Sequence, residues 1–305
     1  MSNKVVIIGT GQVGMSYAYA LLNQKTQVDE LYLIDLDKYS VEGQAIDLRS
    51  GFGFSPDNLR IRAGDYKDCA DANLVVITAG ARQAEGETRM DLISKNAKIF
   101  RGIVGEVMAS GFDGIFLVVS NPMDVMTYLT WKFSGLPHHK VIGSGTVLDS
   151  SRLKYRVGHA LKIDPKSVHA YVIGEHGDSE FVPWSRADVG LESVSAFLEA
   201  DKLATIEEAT RNEAYEIIKR KGATYYGIGI CLAHITEAIL SNQGAVLPIS
   251  NYDPFAKIYY GYPAVVGREG VRRRISLDLM AGEQRKLEKS IETIKSAIDE
   301  VKHLI

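Results

Sequence analysis

Apolar residues in the first half of this chain gather in short runs with helical stretches between them. Lys4–Ile8 (KVVII) looks like a strand of a sheet covered on both faces, and strand-like runs follow at Leu31–Ile34, Leu59–Arg62, Leu74–Thr78, Ile115–Val119 and Val141–Gly143. After the fourth run, Leu92, Ile93, Ala97, Phe100, Val104 and Met108 recur at the spacing that lines one face of a helix starting near Asp91. That rhythm predicts an α/β chain built on a doubly wound parallel sheet of about six strands. From about Thr146 the pattern changes to longer helices and antiparallel alternation, a mixed α+β texture. Ile275, Leu277 and Leu279 alternate as a strand, and Leu287, Ile291, Ile294, Ile298 and Val301 make a final amphipathic helix. Residues 1–145 and 146–305 read as two lobes. No Pro-, Ser- or Gly-rich linker, internal repeat or low-complexity run divides them, so they should pack tightly with a site between them.

Composition narrows the partners. At 305 residues and 46% hydrophobic, the chain buries a large core and is near the size at which one core becomes two. Its 35 basic and 38 acidic residues nearly cancel, which leaves no bulk field to hold nucleic acid or a membrane surface. Any anionic ligand must be held by a few placed cations. Cys69 and Cys231, far apart in apolar or helical settings, suit two buried free thiols in a reducing compartment. The start, MSNKVVIIG, shows no signal-peptide core, and no apolar run approaches the ~20 residues of a membrane span, so a cytoplasmic protein is expected. No H-x-x-H, C-x-x-C or carboxylate cluster points to a metal. His138, His139 and His303 sit in polar contexts and should face solvent, while His159 and His234 fall on helical patterns.

The first chemistry follows the first strand. GTGQVG places Gly9, Gly11 and Gly14 in a G-x-G-x-x-G pattern around Gln12 and Val13, and MSYAYALLNQ continues as a helix. Asp35 ends the second strand, 21 residues after Gly14. In a strand, turn and helix of this kind the glycines allow a tight turn, close backbone approach to a pyrophosphate and close helix packing, with the phosphates at the helix N-terminus. This is a Rossmann arrangement for a dinucleotide. A carboxylate at Asp35 accepts from the adenosine ribose and repels a 2′-phosphate, which favours NAD over NADP. The competing reading of Asp35 is a helix N-cap, which Leu36 and Asp37 do not continue cleanly.

A second constellation centres on VHAYVIGEHGDSE, Val168 to Glu180, which reads as a strand running into a Gly-flanked turn. His176 in that turn is a candidate proton donor, since imidazole titrates near neutrality and a neighbouring carboxylate keeps it charged. Hydrogen bonding to backbone is the plainer role for such a histidine. Three loops at strand carboxyl ends face the same crevice: Ala79–Arg89, Ser120–Asp124 and Gly143–Arg152. The first is polar, holds two glycines and two arginines, and is suited to close as a lid carrying Arg89; a surface arginine at a helix start is the alternative. In the third, Asp149 and Arg152 share a helix face three residues apart. Either they form a surface ion pair worth a few tenths of a kcal/mol, or Asp149 turns to His176 and leaves the Arg152 fork for a ligand carboxylate.

GTGQVG, TAGARQAEGETR, SNPMD, IGSGTVLDSSR, GEHGDS and KGATYYG, in that order from Gly9 to Gly227, resemble the L-2-hydroxyacid dehydrogenases of the lactate–malate dehydrogenase superfamily, and its L-lactate dehydrogenases most closely. The likeness spans nearly the whole chain. It implies reversible hydride transfer between NADH and pyruvate, giving L-lactate, in cytoplasmic glycolysis and fermentation. His176 would give and take the proton, Asp149 would be its partner, Arg152 would clamp the substrate carboxylate, and Arg89 would polarise the carbonyl from the closing loop. Asn121 would contact the substrate oxygen or nicotinamide ribose, while Thr224 and Ile228 would border the pocket and nicotinamide ring. The helix over 224–241 would pack back on the cofactor lobe.

The same resemblance bears on specificity and regulation. Malate dehydrogenases of this superfamily carry an arginine six residues before the loop arginine; here that position is Gln83, facing the substrate methyl, and Arg82 falls one residue away, towards the cofactor. Broader 2-keto acid specificity of the 2-ketoisocaproate kind and malate dehydrogenation remain the alternatives, and a non-catalytic NAD-binding protein is disfavoured because every charged catalytic position is filled. The family implies a homotetramer. His169 matches the histidine of a fructose bisphosphate site, but Lys154 stands where an arginine is usual and lacks its bidentate fork, so activation would be weak.

Overall fold

Burial on both faces makes the first strand the middle of the sheet. In the computed structural model, which describes residues 2–56, 58–81 and 89–304, β1 (Lys4–Ile8), β2 (Glu30–Ile34), β3 (Arg60–Ala63), β4 (Leu74–Ile77), β5 (Ile115–Val118) and β6 (Val141–Gly143) run parallel in the order β3-β2-β1-β4-β5-β6. Val5 and Ile7 enter one core layer with α1 (Gln12–Asn23) and α2 (Lys38–Ser50). Val6 and Ile8 enter the other, with α3 (Arg89–Ala109) and α4 (Met123–Ser134). Side chains alternating across a strand that is covered on both sides produce the unbroken apolar run. The expected helical stripe is α3, with Ile93, Ala97, Phe100 and Val104 wholly buried.

The second half supplies α5 (Val147–Leu161), the short strands β7 (Val168–His169), β8 (Asp188–Val189) and β9 (Glu192–Ser193), α6 (Ala200–Lys221), and α7 (Tyr226–Leu240). It continues with β10 (Ala245–Leu247), β11 (Ser250–Asp253), β12 (Ile258–Gly261), β13 (Ala264–Gly267), β14 (Gly270–Arg274) and α8 (Ala281–Val301). β11 and β12 extend the parallel sheet antiparallel beyond β6, starting at the Ser250–Gly143 pair, and make it eight-stranded. α7 lies against α1: Tyr17 Oη is 2.5 Å from Thr236 Oγ1, and a Cβ on Gly229 would meet the Ser16 backbone at 2.7 Å. α5 and α6 share a third apolar cluster with β7. Leu287, Ile294, Ile298 and Val301 of α8 are buried in the α3–α4 layer.

Two strand expectations are corrected. Residues 275–279 form no strand: β14 stops at Arg274, where the Ile275 N–H still donates to Pro263 O at 2.9 Å. Pro263 has no N–H to return, so the ladder ends there, and Leu277 and Leu279 pack as irregular chain on the core. Of the stretch from Val168 to Glu180, only Val168–His169 pairs as a strand, with isolated bridges from Ile173 to Phe181 and from Gly174 to Gly261. α5 and its cap satisfy the backbone in between, since the Val172 N–H donates to Ser150 Oγ and its carbonyl accepts from Thr146 Oγ1 at 2.6 Å.

The two cysteines are buried free thiols, and burial pushes both up to about 12. Among the described residues no helix is long and apolar enough to cross a membrane.

Candidate active site

The sheet brings the sequence-spaced motifs to its carboxyl edge, where strand order reverses between β1 and β4. Gly9 turns with φ +107°, and a Cβ there would sit 2.4 Å from Ala79 N. Gly14 lets α1 close on the turn, because its Cβ would lie 2.0 Å from Gly9 O. A Cβ on Gly11, by contrast, would meet no protein atom within 4 Å. Gly11 caps α1 without a side-chain hydrogen bond, Gln12 and Val13 open its first turn, and that turn holds no acidic residue. Backbone N–H groups at the positive end of a helix, approachable because no Cβ stands at Gly11, fit the pyrophosphate of a dinucleotide.

Asp35 stands beside this turn and helps to build it. Its Oδ2 accepts from Thr10 N at 2.6 Å and Thr10 Oγ1 at 3.0 Å, and its Oδ1 from Leu36 N at 2.7 Å. The N-cap of α2 is Asp37, which accepts from Tyr39 N and Ser40 N.

His176 owes its place to two carboxylates. Asp124, in the first turn of α4 and 3% exposed, accepts the His176 backbone N–H at 2.8 Å while its other oxygen takes Ser250 Oγ at 2.5 Å. Asp149, in the first turn of α5 and 2% exposed, takes the ring, with Nδ1 to Oδ2 at 2.7 Å. Desolvation works against a charged ring, but the Asp149 charge and hydrogen bond outweigh it, with help from Glu180 and Asp124, and raise His176 to about 9. At neutral pH the imidazole is therefore protonated, with 27% of its side chain still exposed. Desolvation likewise opposes the Asp149 charge, and the His176 and Arg152 cations overcome it and hold the carboxyl below its usual range.

The choice between an Asp149–Arg152 pair and an Asp149–His176 pair is resolved as both. Asp149 Oδ1 accepts from Arg152 Nη1 at 2.9 Å while Oδ2 holds the imidazole. The expectation of an Arg152 fork left clear by Asp149 is corrected accordingly. The pair is not on the surface either, since its side chains are 6% and 3% exposed, and in such a site removal of one partner strands a buried charge. Glu213 of α6 adds a further carboxylate 3.4 Å from Arg152 Nε.

Other sequence candidates are placed with less contact. Asn121 follows β5, and its carbonyl accepts from Asn96 Nδ2 at 2.8 Å; Asn96 Oδ1 in turn holds Ala81 N, also at 2.8 Å. Thr224 lies in the turn between α6 and α7, and Ile228 in the first turn of α7 packs on the core layer that includes α1. Lys154 is on α5, its ammonium 5.4 Å from the Tyr171 ring and lowered by burial, and His169 is on β7, which packs against α5. Arg82 and Gln83 lie outside the described residues, and of Arg89 only the backbone, at the start of α3, is described.

Sequence reasoning passed over Asn96, Asp124, Glu180, Glu213 and Ser250. Glu180 is 5% exposed, and an oxygen of its carboxyl lies within 4.8 Å of ring and carboxylate atoms of His176 and Asp149. Burial first, and then the Asp149 charge, push it up to about 9. Burial alike pushes Asp124 up to about 7 against its hydrogen bonds. Asp124 had a local signal, the final residue of SNPMD at a helix start, and Glu180 closes the stretch that holds His176; Asn96, Glu213 and Ser250 act across sequence distances that no motif records.

Comparison with known proteins agrees with this geometry. The lactate/malate dehydrogenase NAD-binding domain matches residues 3–143, and the alpha/beta C-terminal domain of the same family matches residues 146–305. L-lactate dehydrogenase 1 of Staphylococcus aureus strain JH9 is 51% identical over 99% of this chain and 98% of its own. A lactate dehydrogenase from a Medee basin deep-sea metagenome library superposes with a TM-score of 0.97 at 49% identity, covering 99% of this chain and 100% of that one. The minor L-lactate dehydrogenase of Enterococcus mundtii, in its ligands-bound form, gives 0.96 at 46% identity over 98% of both chains.

The His176–Asp149 pair carries a pH signature. The raised histidine stabilises the fold fully below its unfolded pKa of ~6.5 and loses that contribution as pH rises through about 9, while the lowered aspartate contributes above ~3.9 and loses it as pH falls. Urea unfolding of wild type against His176→Gln is expected to show a stability difference that shrinks by more than about 1 kcal/mol between pH ~6 and ~9.5. A constant difference over that range contradicts the raised imidazolium.

Proposed function

The chain belongs to the lactate/malate dehydrogenase family, and on that footing we infer that it is an NAD-dependent L-lactate dehydrogenase, reversibly reducing pyruvate to L-lactate. The observation that carries the reading is one buried carboxylate, Asp149, bonded to both the His176 imidazole and the Arg152 guanidinium. A 2-keto acid presents a carboxylate and a carbonyl oxygen on adjacent carbons, and these two cations are the matching groups.

NAD, when bound, would supply the hydride chemistry; the Gly9–Gly14 turn with Gln12, Val13 and Asp35 would hold it, and the family resemblance adds Arg82 to this set. Arg152 holds the substrate carboxylate through charge-assisted hydrogen bonds. His176 gives its Nε2 proton to the carbonyl oxygen as negative charge grows there, and the neutral ring keeps its Nδ1–H on Asp149; lactate oxidation returns the proton. Arg89 would stabilise the developing charge, Asn121 would contact the substrate oxygen or the nicotinamide ribose, and Thr224 and Ile228 would border the pocket and the nicotinamide ring. General acid help of this kind contributes ~10²–10⁴ in rate. The chain divides near residue 145 into cofactor and substrate domains, works as a cytoplasmic homotetramer in glycolysis and fermentation, and responds weakly to fructose bisphosphate through Lys154 and His169. Two free buried thiols suit a reducing compartment.

Two predictions test the assignment. A Gln83 facing the substrate methyl would leave the second carboxylate of oxaloacetate buried without a partner, at a cost of several kcal/mol, so pyruvate should exceed oxaloacetate in kcat/KM with NADH. Gln83→Arg should sharply reduce or reverse the pyruvate preference over oxaloacetate. If that ratio stays fixed in Gln83→Arg while Arg82→Ala moves it, malate dehydrogenation becomes the better reading. NADH should likewise be preferred over NADPH, and Asp35→Ser should improve relative NADPH use; equal use of both by the wild type contradicts the role of Asp35.

A further inference from the structure

Arg152 is held from two sides by different helices. Asp149, one turn earlier on α5, takes Nη1, while Glu213 of α6 stands 3.4 Å from Nε, long for a hydrogen bond but within ion-pair range. Glu213 is in turn gripped by Arg156, whose Nε and Nη2 both donate to its Oε2, at 3.1 and 2.7 Å. The remaining oxygen, Oε1, faces Arg152. Arg152 and Arg156 are four residues apart and share one face of α5, so a single α6 carboxylate sits between two like charges. With side chains of Glu213 and Arg156 27% and 32% exposed, water screens this network only in part.

The arrangement fixes what Arg152 offers a ligand. A guanidinium has five N–H donors. With Nε facing Glu213 and one Nη1 hydrogen on Asp149, three donors remain on the two terminal nitrogens, enough for the paired bonds a carboxylate accepts. Glu213 by itself would also set a negative charge beside a group that must hold an anion. Arg156 cancels that charge while holding the oxygen that orients Nε.

We propose that Glu213 is a positioning residue that fixes the plane of the Arg152 clamp, and that Arg156 is its counter-charge, keeping the clamp attractive to the carboxylate of a 2-keto acid. The proposal rests on Arg152 being the carboxylate clamp. Neither residue touches the reacting atoms, so the effect falls on KM and not on kcat.

Steady-state pyruvate reduction by the full-length variants tests it. Arg156→Gln leaves Glu213 charged and uncompensated, and pyruvate KM should rise on the order of tenfold with kcat within about twofold of wild type. Arg156→Lys keeps the charge and should hold KM close to wild type. Adding Glu213→Gln to Arg156→Gln removes the stranded charge while leaving an amide oxygen to accept from Arg152 Nε, and should restore KM to within about threefold of wild type, a coupling that two independent packing losses would not give. An unmoved KM in Arg156→Gln, or a double variant no better than the single, overturns the proposal. Arg152→Gln separates the premise: an unmoved KM there fails the clamp itself, whereas a raised KM there with an unmoved KM in Arg156→Gln overturns only the role of Glu213 and Arg156.

Discussion

The site depends on one carboxylate kept charged where water barely reaches it. Asp149 is 2% exposed, and desolvation alone would neutralise it. Two cations prevent that, His176 on one oxygen and Arg152 on the other, and both are in turn held in place by Asp149. Its position in the first turn of α5 adds the favourable end of a helix dipole. Without that charge His176 has no strong reason to stay protonated and Arg152 loses the bond to Nη1.

Around this triplet the protein separates charge by burial. Asp124 and Glu180 are as deeply placed as Asp149 but lack an equally close cation on the carboxyl, and burial lifts them to about 7 and about 9. Asp124 therefore serves mainly as an acceptor for the His176 backbone and Ser250, and the Glu180 carboxyl is held well above its ordinary range beside an ionised Asp149. Glu213, with Arg156 bonded to it and more than a quarter of its side chain exposed, faces Arg152 from the opposite side. Three neighbouring carboxyl groups thus take different work because their partners differ.

Much of the fold was legible because its signals are local. Short apolar runs marked five of the six parallel strands and the alternation in LRIR marked β3, while GTGQVG with Asp35 marked the dinucleotide turn; the demand for glycine at Gly14 comes from Gly9 O within that turn, and at Gly9 from its own φ of +107° and from Ala79 after β4. What escaped was set from elsewhere in the chain. The apolar alternation at Ile275, Leu277 and Leu279 failed to make a strand because Pro263, just before the neighbouring strand β13, cannot donate. The pairing of Asp149 with His176 bridges 27 residues, that of Asp124 with Ser250 bridges 126, and that of Arg156 with Glu213 bridges 57. Motif resemblance could name the first of these pairs, but the two-sided grip on Arg152 required α5 and α6 to be packed together.

The most direct test of a charged Asp149 is the titration of the His176 ring itself, followed by NMR of ring-labelled histidine in wild type and in Asp149→Asn. Desolvation and the Asp149 charge have opposite signs, so the outcome is decided by which remains. A wild-type midpoint near the value of about 9, falling below the ordinary ~6.5 of histidine once the charge is removed, is the predicted result. A His176 midpoint near ~6.5 in both proteins would contradict the account.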